Sequence, residues 1–350
     1  MEYLFLVFIT SAVITLYTVP PIIKVAVMKR LFDMPDELRK IHTRSVPTVG
    51  GIIIFAATLF AYSIWYPLYE VAEFKYIVSG LIIMFFIGIK DDIIGTAPVK
   101  KLLAFIIVSM LLVLMGNIKI SGLHGLFGVD QIPEWGQIFL SVFTIIVIVN
   151  AFNLIDGIDG LAAGIGLIVS LSYGIWFYFA GEASMSCLAF ALAGTLSSFL
   201  IFNFSPAKIF MGDSGSLTIG LIIAILTIKL IEYDVAKIQS EILVKISKPV
   251  FALSVLVFPL YDTLRIFIYR TIKGVSPFSA DKKHIHHRLI KLGYSHRKVS
   301  VVLYLSNILI IIVAISSSML ETTFQFIIMA TFTLTIAQIP FLIEPPIKEN

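Results

Sequence analysis

Long apolar runs separated by short polar breaks dominate the sequence. A transmembrane helix needs about 20 mostly apolar residues, so the runs predict an all-α polytopic membrane protein of about eleven spans, with ten as the alternative count. The predicted spans are 3–27, 48–66, 75–90, 101–117, 138–154, 161–180, 185–203, 215–231, 249–268, 299–318 and 322–343. The Gly-rich stretch between the fourth and fifth spans is expected to form a small hairpin or a re-entrant piece.

The composition supports the same architecture. The 350 residues are 58% hydrophobic and 14% charged, whereas a soluble domain carries about 25% charged residues. We therefore expect one integral membrane domain over residues 1–350, and the composition excludes a soluble enzyme or a disordered chain. The single Cys187 allows no intrachain disulfide, and a net charge of +4 does not argue for a nucleic-acid partner.

Lysine and arginine residues are divided unequally between the loops. Most of the 26 Lys and Arg follow odd-numbered spans, and a cytoplasmic excess of these residues is the rule in membrane proteins. We therefore predict an external N-terminus, a cytoplasmic C-terminus and a multi-pass position in the plasma (inner) membrane. The loops assigned to the cytoplasm lie near 28–47, 90–100, 155–160, 204–214 and 269–298.

The polar motifs fall in these same loops, which predicts one active site on the cytoplasmic face. Asp91 and Asp92 end the third span, and adjacent carboxylates at membrane level are costly unless a cation or a function compensates. A solvated helix end with lysine counter-charges is the alternative interpretation. Asp213 opens the eighth span and is either a helix N-cap or a ligand of phosphate-bound Mg²⁺.

The most specific stretch of the chain lies at the end of the fifth span. Asn150, Asn153 and Asp156 recur every three residues and therefore share a helix face, and Asp159 follows at the same spacing. Asn and Asp oxygens suit a hard cation or the hydrogen-bonding edges of a nucleotide. Capping of a helix end by these side chains is the alternative.

The longest cytoplasmic loop is basic and contains a cluster of imidazoles followed by a guanidinium: His284, His286, His287 and Arg288. We favour polyphosphate recognition over a soft-metal site or neutral surface histidines, since zinc sites usually recruit Cys or a further ligand. In the first loop, Lys40 and His42 are weaker candidates for phosphate contact. Carboxylates suited to Mg²⁺ or Mn²⁺ beside bases for phosphate predict metal-dependent transfer of a phosphorylated group to a lipid.

Four motifs, DDIIG, NAFNLIDGIDGLAAG, FMGDSGS and SPFxxDKKHIHHRL, resemble those of the polyprenyl-phosphate N-acetylhexosamine-1-phosphate transferases. The resemblance implies that undecaprenyl phosphate attacks the β-phosphate of a UDP-N-acetylhexosamine, most simply UDP-N-acetylglucosamine. The implied products are the undecaprenyl-pyrophosphoryl sugar and UMP, with Mg²⁺ as the ion and a homodimer as a candidate assembly.

The resemblance also implies residue roles. One of the paired aspartates deprotonates or positions the lipid phosphate, Lys101 binds pyrophosphate, and Phe210 stacks on uracil. The implied catalytic residues are Asp91, Asp92, Asp156, Asp159 and His284, and the implied metal ligands are Asp213, Asn153 and Asp92. The implied substrate-binding residues are Lys101, Asn150, Asn153, Phe210, His286, His287, Arg288, Lys40 and His42.

Two departures separate the chain from the muramoyl-pentapeptide branch of that family. Gly95 stands where that branch has Lys, and His-Ile-His-His replaces three consecutive histidines. These details favour the branch that initiates O-antigen, teichoic acid or related glycans over phospho-MurNAc-pentapeptide transfer. Two alternatives lie outside the family. A CDP-alcohol phosphotransferase would need a D-G-x₂-A-R pattern, and an ion-coupled secondary transporter would carry carboxylates at span centres.

Overall fold

A computed structural model of the protein describes residues 3–29, 46–67, 71–238, 240–274 and 284–343, apart from the side chains of 71 and 72. Within these ranges the regular structure is helical. The α-helices are α1 (Leu4–Met28), α2 (Gly50–Ile64), α3 (Val71–Ile94), α4 (Pro98–Met110), α5 (Glu134–Ile155), α6 (Leu161–Ala180), α7 (Ala183–Asn203), α8 (Gly212–Ile231), α9 (Glu241–Lys245), α10 (Lys248–Val255), α11 (Val257–Ile272), α12 (Ile285–Lys291), α13 (His296–Ser316) and α14 (Thr322–Leu342). A π-helical turn, Leu111–Met115, extends α4, and two 3₁₀ turns cover Leu126–Gly128 and Val235–Lys237.

Each predicted span coincides with a helix or, in one case, with two helices. Among the described residues, eight helices are long and apolar enough to cross a membrane, and the bent pair α10 and α11 makes nine. The remaining two predicted spans are α2, which has 15 residues, and α3, which carries charges at both ends. The all-α polytopic architecture is confirmed, whereas the count of eleven and the sides of the termini stay predictions.

Helix α8 lies at the centre of the bundle and is buried along almost its whole length. It packs against α2, α3 and α5, and glycines make this approach possible. A Cβ atom at Gly88 would lie 2.6 Å from Ser214 N, and one at Gly220 would lie 2.7 Å from Val149 Cα. Backbones that meet this closely are typical of small-residue helix packing in membranes, and the start of α8 is therefore held firmly.

The predicted span 249–268 is not one unbroken helix, because the chain bends by 76° between α10 and α11. Pro259 has no N–H to donate to the carbonyl of Val255, four residues earlier, and such a loss kinks a helix. Asn307 of α13 takes the freed acceptor, since its Nδ2 donates to Val255 O at 3.1 Å. The break is thus satisfied from a neighbouring helix, as buried backbone in a bilayer requires.

The Gly-rich stretch before α5 forms an irregular hairpin at the end of the bundle away from the polar motifs. Ile132 N donates to Ser121 O at 3.1 Å across it. Ser121 N donates to Glu232 Oε1 at 2.8 Å, which joins this hairpin to the end of α8. Helix α8 therefore runs from the polar-motif end of the bundle to the opposite loops.

Candidate active site

Helix α8 begins directly against the aspartate pair of α3. Asp92 Oδ1 accepts from Asp213 N at 2.6 Å, and its Oδ2 accepts from Ser214 N at 3.0 Å and Ser214 Oγ at 2.7 Å. Gly212 has φ +65°, and a Cβ atom there would lie 2.7 Å from Asp92 Oδ1. The first N–H groups of a helix lack internal partners and attract negative charge. Asp92 therefore caps α8 from a neighbouring helix.

Lys101, in the first turn of α4, joins the other polar motifs. Its Nζ donates to Asp91 Oδ2 at 3.0 Å, to Asn153 Oδ1 at 3.4 Å and to Asp213 Oδ2. Asn153 Nδ2 donates in turn to Asp213 Oδ1 at 2.8 Å and to Ser216 Oγ at 3.0 Å. One ammonium thus faces two carboxylates and an amide, so residues of α3, α4, α5 and α8 meet at a single point.

Asp156, immediately after α5, adds a further carboxylate to this end of the bundle. Burial, followed by the carboxylates of Asp213, Asp92 and Asp159, raises the pKa of Asp156 well above its usual range. Carboxylates raise one another's pKa because two like charges disfavour ionisation. The carboxyl groups of Asp91, Asp92, Asp156 and Asp213 thus lie close to the single ammonium of Lys101.

The loop between α5 and α6 is fixed by contacts with α13 and α7. The side chain of Asp159 lies with its Oδ1 3.5 Å from His296 Nδ1, and Ser300 Oγ donates to Asp159 O at 3.0 Å. Tyr304 OH donates to Gly160 O. On the α7 side, Asn203 Oδ1 accepts a hydrogen bond from Gly160 N at 3.2 Å. Ala207 N donates to Asp159 Oδ2 at 3.1 Å. The structure gives Asp159 partners that hold this loop in place.

The histidine cluster lies next to the same loop. His284 and His286 are 4% and 1% exposed, and their rings stack with centroids 5.3 Å apart. Burial lowers the pKa of His286 to about 3, and the neighbouring imidazoles act in the same direction against the opposing effect of Asp262. A Cβ atom at Gly157 would lie 3.5 Å from His286 Nε2. A neutral imidazole therefore faces the Asp156–Asp159 loop.

Other residues proposed for substrate binding are placed less directly. Phe210 is half-buried, and its backbone is pinned because its N donates to Pro47 O at 2.8 Å and its O accepts from Gly50 N at 2.9 Å. Asn150 lies one turn before Asn153 on α5. The ring of His287 lies 4.4 Å from that of His286.

The structure does not bring every predicted residue into the cluster. The guanidinium of Arg288 donates to Pro340 O at 3.0 Å and Ile343 O at 2.7 Å, at the end of α14. It thus holds the end of a helix, and cations commonly occupy that place. Lys40 and His42 lie outside the described residues.

Sequence reasoning did not single out several residues that shape the site. Ser214 and Ser216 lie inside the FMGDSGS motif without having been assigned a role, and His296 and Asn203 lie outside the motifs. Asp262 is the clearest omission. A carboxylate inside the predicted span 249–268 is itself a functional signal, because charged residues within spans are rare and usually paired.

The side chains that meet at Lys101, which are Asp91, Asn153 and Asp213, form the Lys101 junction. Together with Asp156 they offer a set of donor atoms that fits a divalent cation. Asp213, Asn153, Asp91 and Asp156 offer the carboxylate and amide oxygens that Mg²⁺ and Mn²⁺ prefer. A second group of ligand atoms, from Asp262, His284 and His286, lies within 4.8 Å of one another. There the carboxylate already accepts hydrogen bonds on both oxygens.

Comparison with known proteins assigns the family. Residues 74–231 match the model of glycosyl transferase family 4. A probable undecaprenyl-phosphate N-acetylglucosaminyl 1-phosphate transferase of Bacillus subtilis (strain 168) is 33% identical, over 97% of this chain and 93% of that protein. The chain belongs to glycosyl transferase family 4.

Two further relatives of this family 4 member are similar over most of their length. The decaprenyl-phosphate N-acetylglucosaminephosphotransferase of Mycobacterium tuberculosis (strain ATCC 25618 / H37Rv) is 33% identical over 86% of this chain and 79% of that protein. The undecaprenyl-phosphate alpha-N-acetylglucosaminyl 1-phosphate transferase of Escherichia coli (strain K12) is 29% identical over 82% of this chain and 76% of that protein. The family predicted from the motifs is confirmed.

Proposed function

We propose that this protein transfers N-acetylglucosamine 1-phosphate from UDP-N-acetylglucosamine to undecaprenyl phosphate at the cytoplasmic face of the plasma membrane. The observation that carries the proposal is the Lys101 junction, where Asp91, Asn153 and Asp213 from three helices converge on one ammonium. The names of the relatives support a polyprenyl phosphate acceptor and this sugar. The product would initiate a cell-envelope glycan such as O-antigen or teichoic acid.

The chemistry is a displacement at phosphorus. An oxygen of the lipid phosphate forms a bond to the sugar-bearing β-phosphorus while the bond from that phosphorus to the bridging oxygen breaks, and UMP leaves with the bridging oxygen. Charge spreads over the phosphoryl oxygens in such a reaction, so catalysis rests on positioning and neutralisation. Lys101 supplies one fixed positive charge, and Asn153 holds Asp213 in place beside it.

Magnesium, when bound, would supply further charge neutralisation to the pyrophosphate. Asp213, Asn153 and Asp156 would hold it, since their oxygens form the hard donor set beside Lys101. Asp156 would then ionise fully, because a nearby cation favours the charged form of a carboxylate.

The aspartate pair divides into two roles. Asp92 is committed to the three donors at the start of α8, so we assign it the positioning of Asp213. Asp91 faces Lys101 and is the member placed to accept a proton from, or orient, the lipid phosphate. Asp159 positions the loop that follows Asp156, since its carboxylate and carbonyl are both engaged.

A nucleotide-release assay tests the function. Purified protein in detergent is incubated with UDP-N-acetylglucosamine, undecaprenyl phosphate and Mg²⁺, and UMP is measured. We expect UMP release that requires the lipid and stops on addition of EDTA, with slower release from UDP-N-acetylgalactosamine and UDP-glucose. Absence of lipid-dependent UMP release with every UDP-N-acetylhexosamine would overturn the proposal.

A further inference from the structure

Asp262 is a fully buried carboxylate inside α11 that the reaction scheme above does not use. Its side chain is 0% exposed, and an ionised carboxylate is costly to bury unless it is well paired. Its partners are His284, Ile285 and Arg265. His284 Nδ1 lies 2.9 Å from Asp262 Oδ2, while Ile285 N donates to Oδ1 at 3.0 Å and Arg265 Nη2 at 3.3 Å.

These partners make Asp262 the anchor of the histidine segment. His284 is the N-cap of α12, and Ile285 is its first residue. The carboxylate therefore binds both the cap side chain and the first backbone N–H of that helix. Because Asp262 belongs to α11, it fixes α12 and its histidines relative to the bundle.

The same contact fixes the proton on His284. A carboxylate accepts hydrogen bonds, so the Nδ1 atom of His284 that faces it carries a proton. His286 has the same orientation, since its Nδ1 lies 3.8 Å from Asp262 Oδ2. That Nδ1 is buried and has no hydrogen-bond partner among the described residues. Its other nitrogen, Nε2, faces Gly157.

We propose that Asp262 is a positioning residue of the active site. It holds His284 and His286 with Nδ1 toward its carboxylate, so that His286 presents an unprotonated Nε2 to a hydroxyl or amide N–H of the sugar nucleotide at the Asp156–Asp159 loop. The inference rests on the proposed function for its substrate. Arg265 beside the carboxylate argues against a cation at the Asp262–His284–His286 group, because a second positive charge there would be repelled.

A double-mutant cycle tests whether Asp262 acts through His286. In the UMP-release assay, Asp262→Asn lowers kcat/KM for UDP-N-acetylglucosamine by about 10- to 100-fold, by analogy with the loss that follows removal of the partners that orient metal-ligating histidines. The KM for undecaprenyl phosphate changes less than about twofold. His286→Gln has a similar effect, and the double variant is no worse than His286→Gln alone, because coupled residues are not additive.

Asp234→Asn is the control for removal of an exposed carboxylate that caps a helix away from the site. Asp234 also accepts a backbone N–H at the start of a short helix, from Ala236 N at 2.9 Å, but it belongs to the loop that follows α8 at the opposite end of the bundle. This variant keeps normal kinetics. The positioning role would be overturned if the loss of kcat/KM in the double variant equalled the product of the two single losses. It would also be overturned if Asp262→Asn had normal kinetics.

A spectroscopic measurement on the unaltered protein separates this inference from the proposed function. In ¹⁵N-histidine NMR, assigned with His284→Gln and His286→Gln, both imidazoles are expected to carry a proton on Nδ1, and His286 is expected as the Nδ1–H tautomer with an unprotonated Nε2. An Nε2–H tautomer or an imidazolium signal from His286 at neutral pH would refute the inference even if Asp262→Asn does not fold. If no UDP-sugar yields UMP while the tautomers are as expected, only the substrate assignment fails. Zn²⁺ bound stoichiometrically and lost in His286→Gln would overturn the positioning role in favour of a metal site.

Discussion

Replacing Asp92 with Asn removes the negative charge that caps α8 and leaves the side-chain size unchanged. Asp92 accepts three hydrogen bonds on two oxygens, whereas Asn offers one acceptor oxygen and an NH₂ group. The NH₂ must then face a backbone N–H of Asp213 or Ser214. At least one donor at the start of α8 loses its partner.

The magnitude follows from these contacts. A buried donor left without a partner costs about 1–3 kcal/mol, and loss of charge at a helix N-terminus adds about 0.3–1 kcal/mol. The start of α8 could shift to restore a partner for the unpaired donor, but Asp213 would then lose its contacts with Lys101 and Asn153. Since about 1.4 kcal/mol corresponds to a tenfold change in rate, we expect kcat/KM in Asp92→Asn to fall by about 10- to 1000-fold.

The assay is UMP release measured over a range of Mg²⁺ concentrations. Because Asp213 moves, the Mg²⁺ concentration for half-maximal rate should rise in Asp92→Asn, while Asp91→Asn should lower kcat with a smaller change in that concentration. Asp234→Asn, which also removes a helix-capping carboxylate, serves as the control and should behave like the unaltered protein. Asp92→Asn with kcat/KM and Mg²⁺ dependence within twofold of the unaltered protein would refute the capping role.

Three further predictions concern packing, charge and the helix break. Gly88→Ala should abolish folding or activity, because its Cβ would enter the backbone of α8, whereas Gly80→Ala on the same helix meets only side-chain carbons of Leu112 and Val108, at 3.4 Å or more, and should keep near-normal UMP release. The folded state raises the pKa of Asp156, so its contribution to stability is present at low pH and is lost as the pH rises above the usual Asp range. In EDTA, thermal unfolding should show a Tm that falls from pH 5 to pH 8 and a flatter dependence in Asp156→Asn; parallel slopes would contradict this. Asn307→Leu should lower the unfolding free energy by about 1–3 kcal/mol, because the carbonyl of Val255 loses its donor; an unchanged Tm in the same detergent would contradict that assignment.

The sequence predicted the helices well because apolar length is a local property. Each predicted span has a helical counterpart, and only the one containing Pro259 is broken. A proline near a helix start is usually tolerated. The bend at Pro259 is stabilised by Asn307, which lies 48 positions later in the sequence. Such compensation is not visible in a local pattern.

The candidate site was predictable in its residue types but not in its contacts. Asp91 and Asp92 are adjacent, yet neighbouring residues on a helix point about 100° apart, so one faces Lys101 and the other caps α8. Their roles follow from which helix lies on each side, and the sequence does not specify this. The pairing of Asp262 with His284 likewise depends on how α12 packs against α11.

The fastening of the α5–α6 loop by α13 has a consequence for protein engineering. Residues 74–231 match the family model, whereas Ser300 and Tyr304, which hold the backbone of that loop, lie beyond them. A hybrid of two relatives that exchanges the loop without α13 would combine a loop from one parent with the supporting side chains of α13 from the other. A hybrid that folds correctly at this loop should therefore take both segments from the same parent.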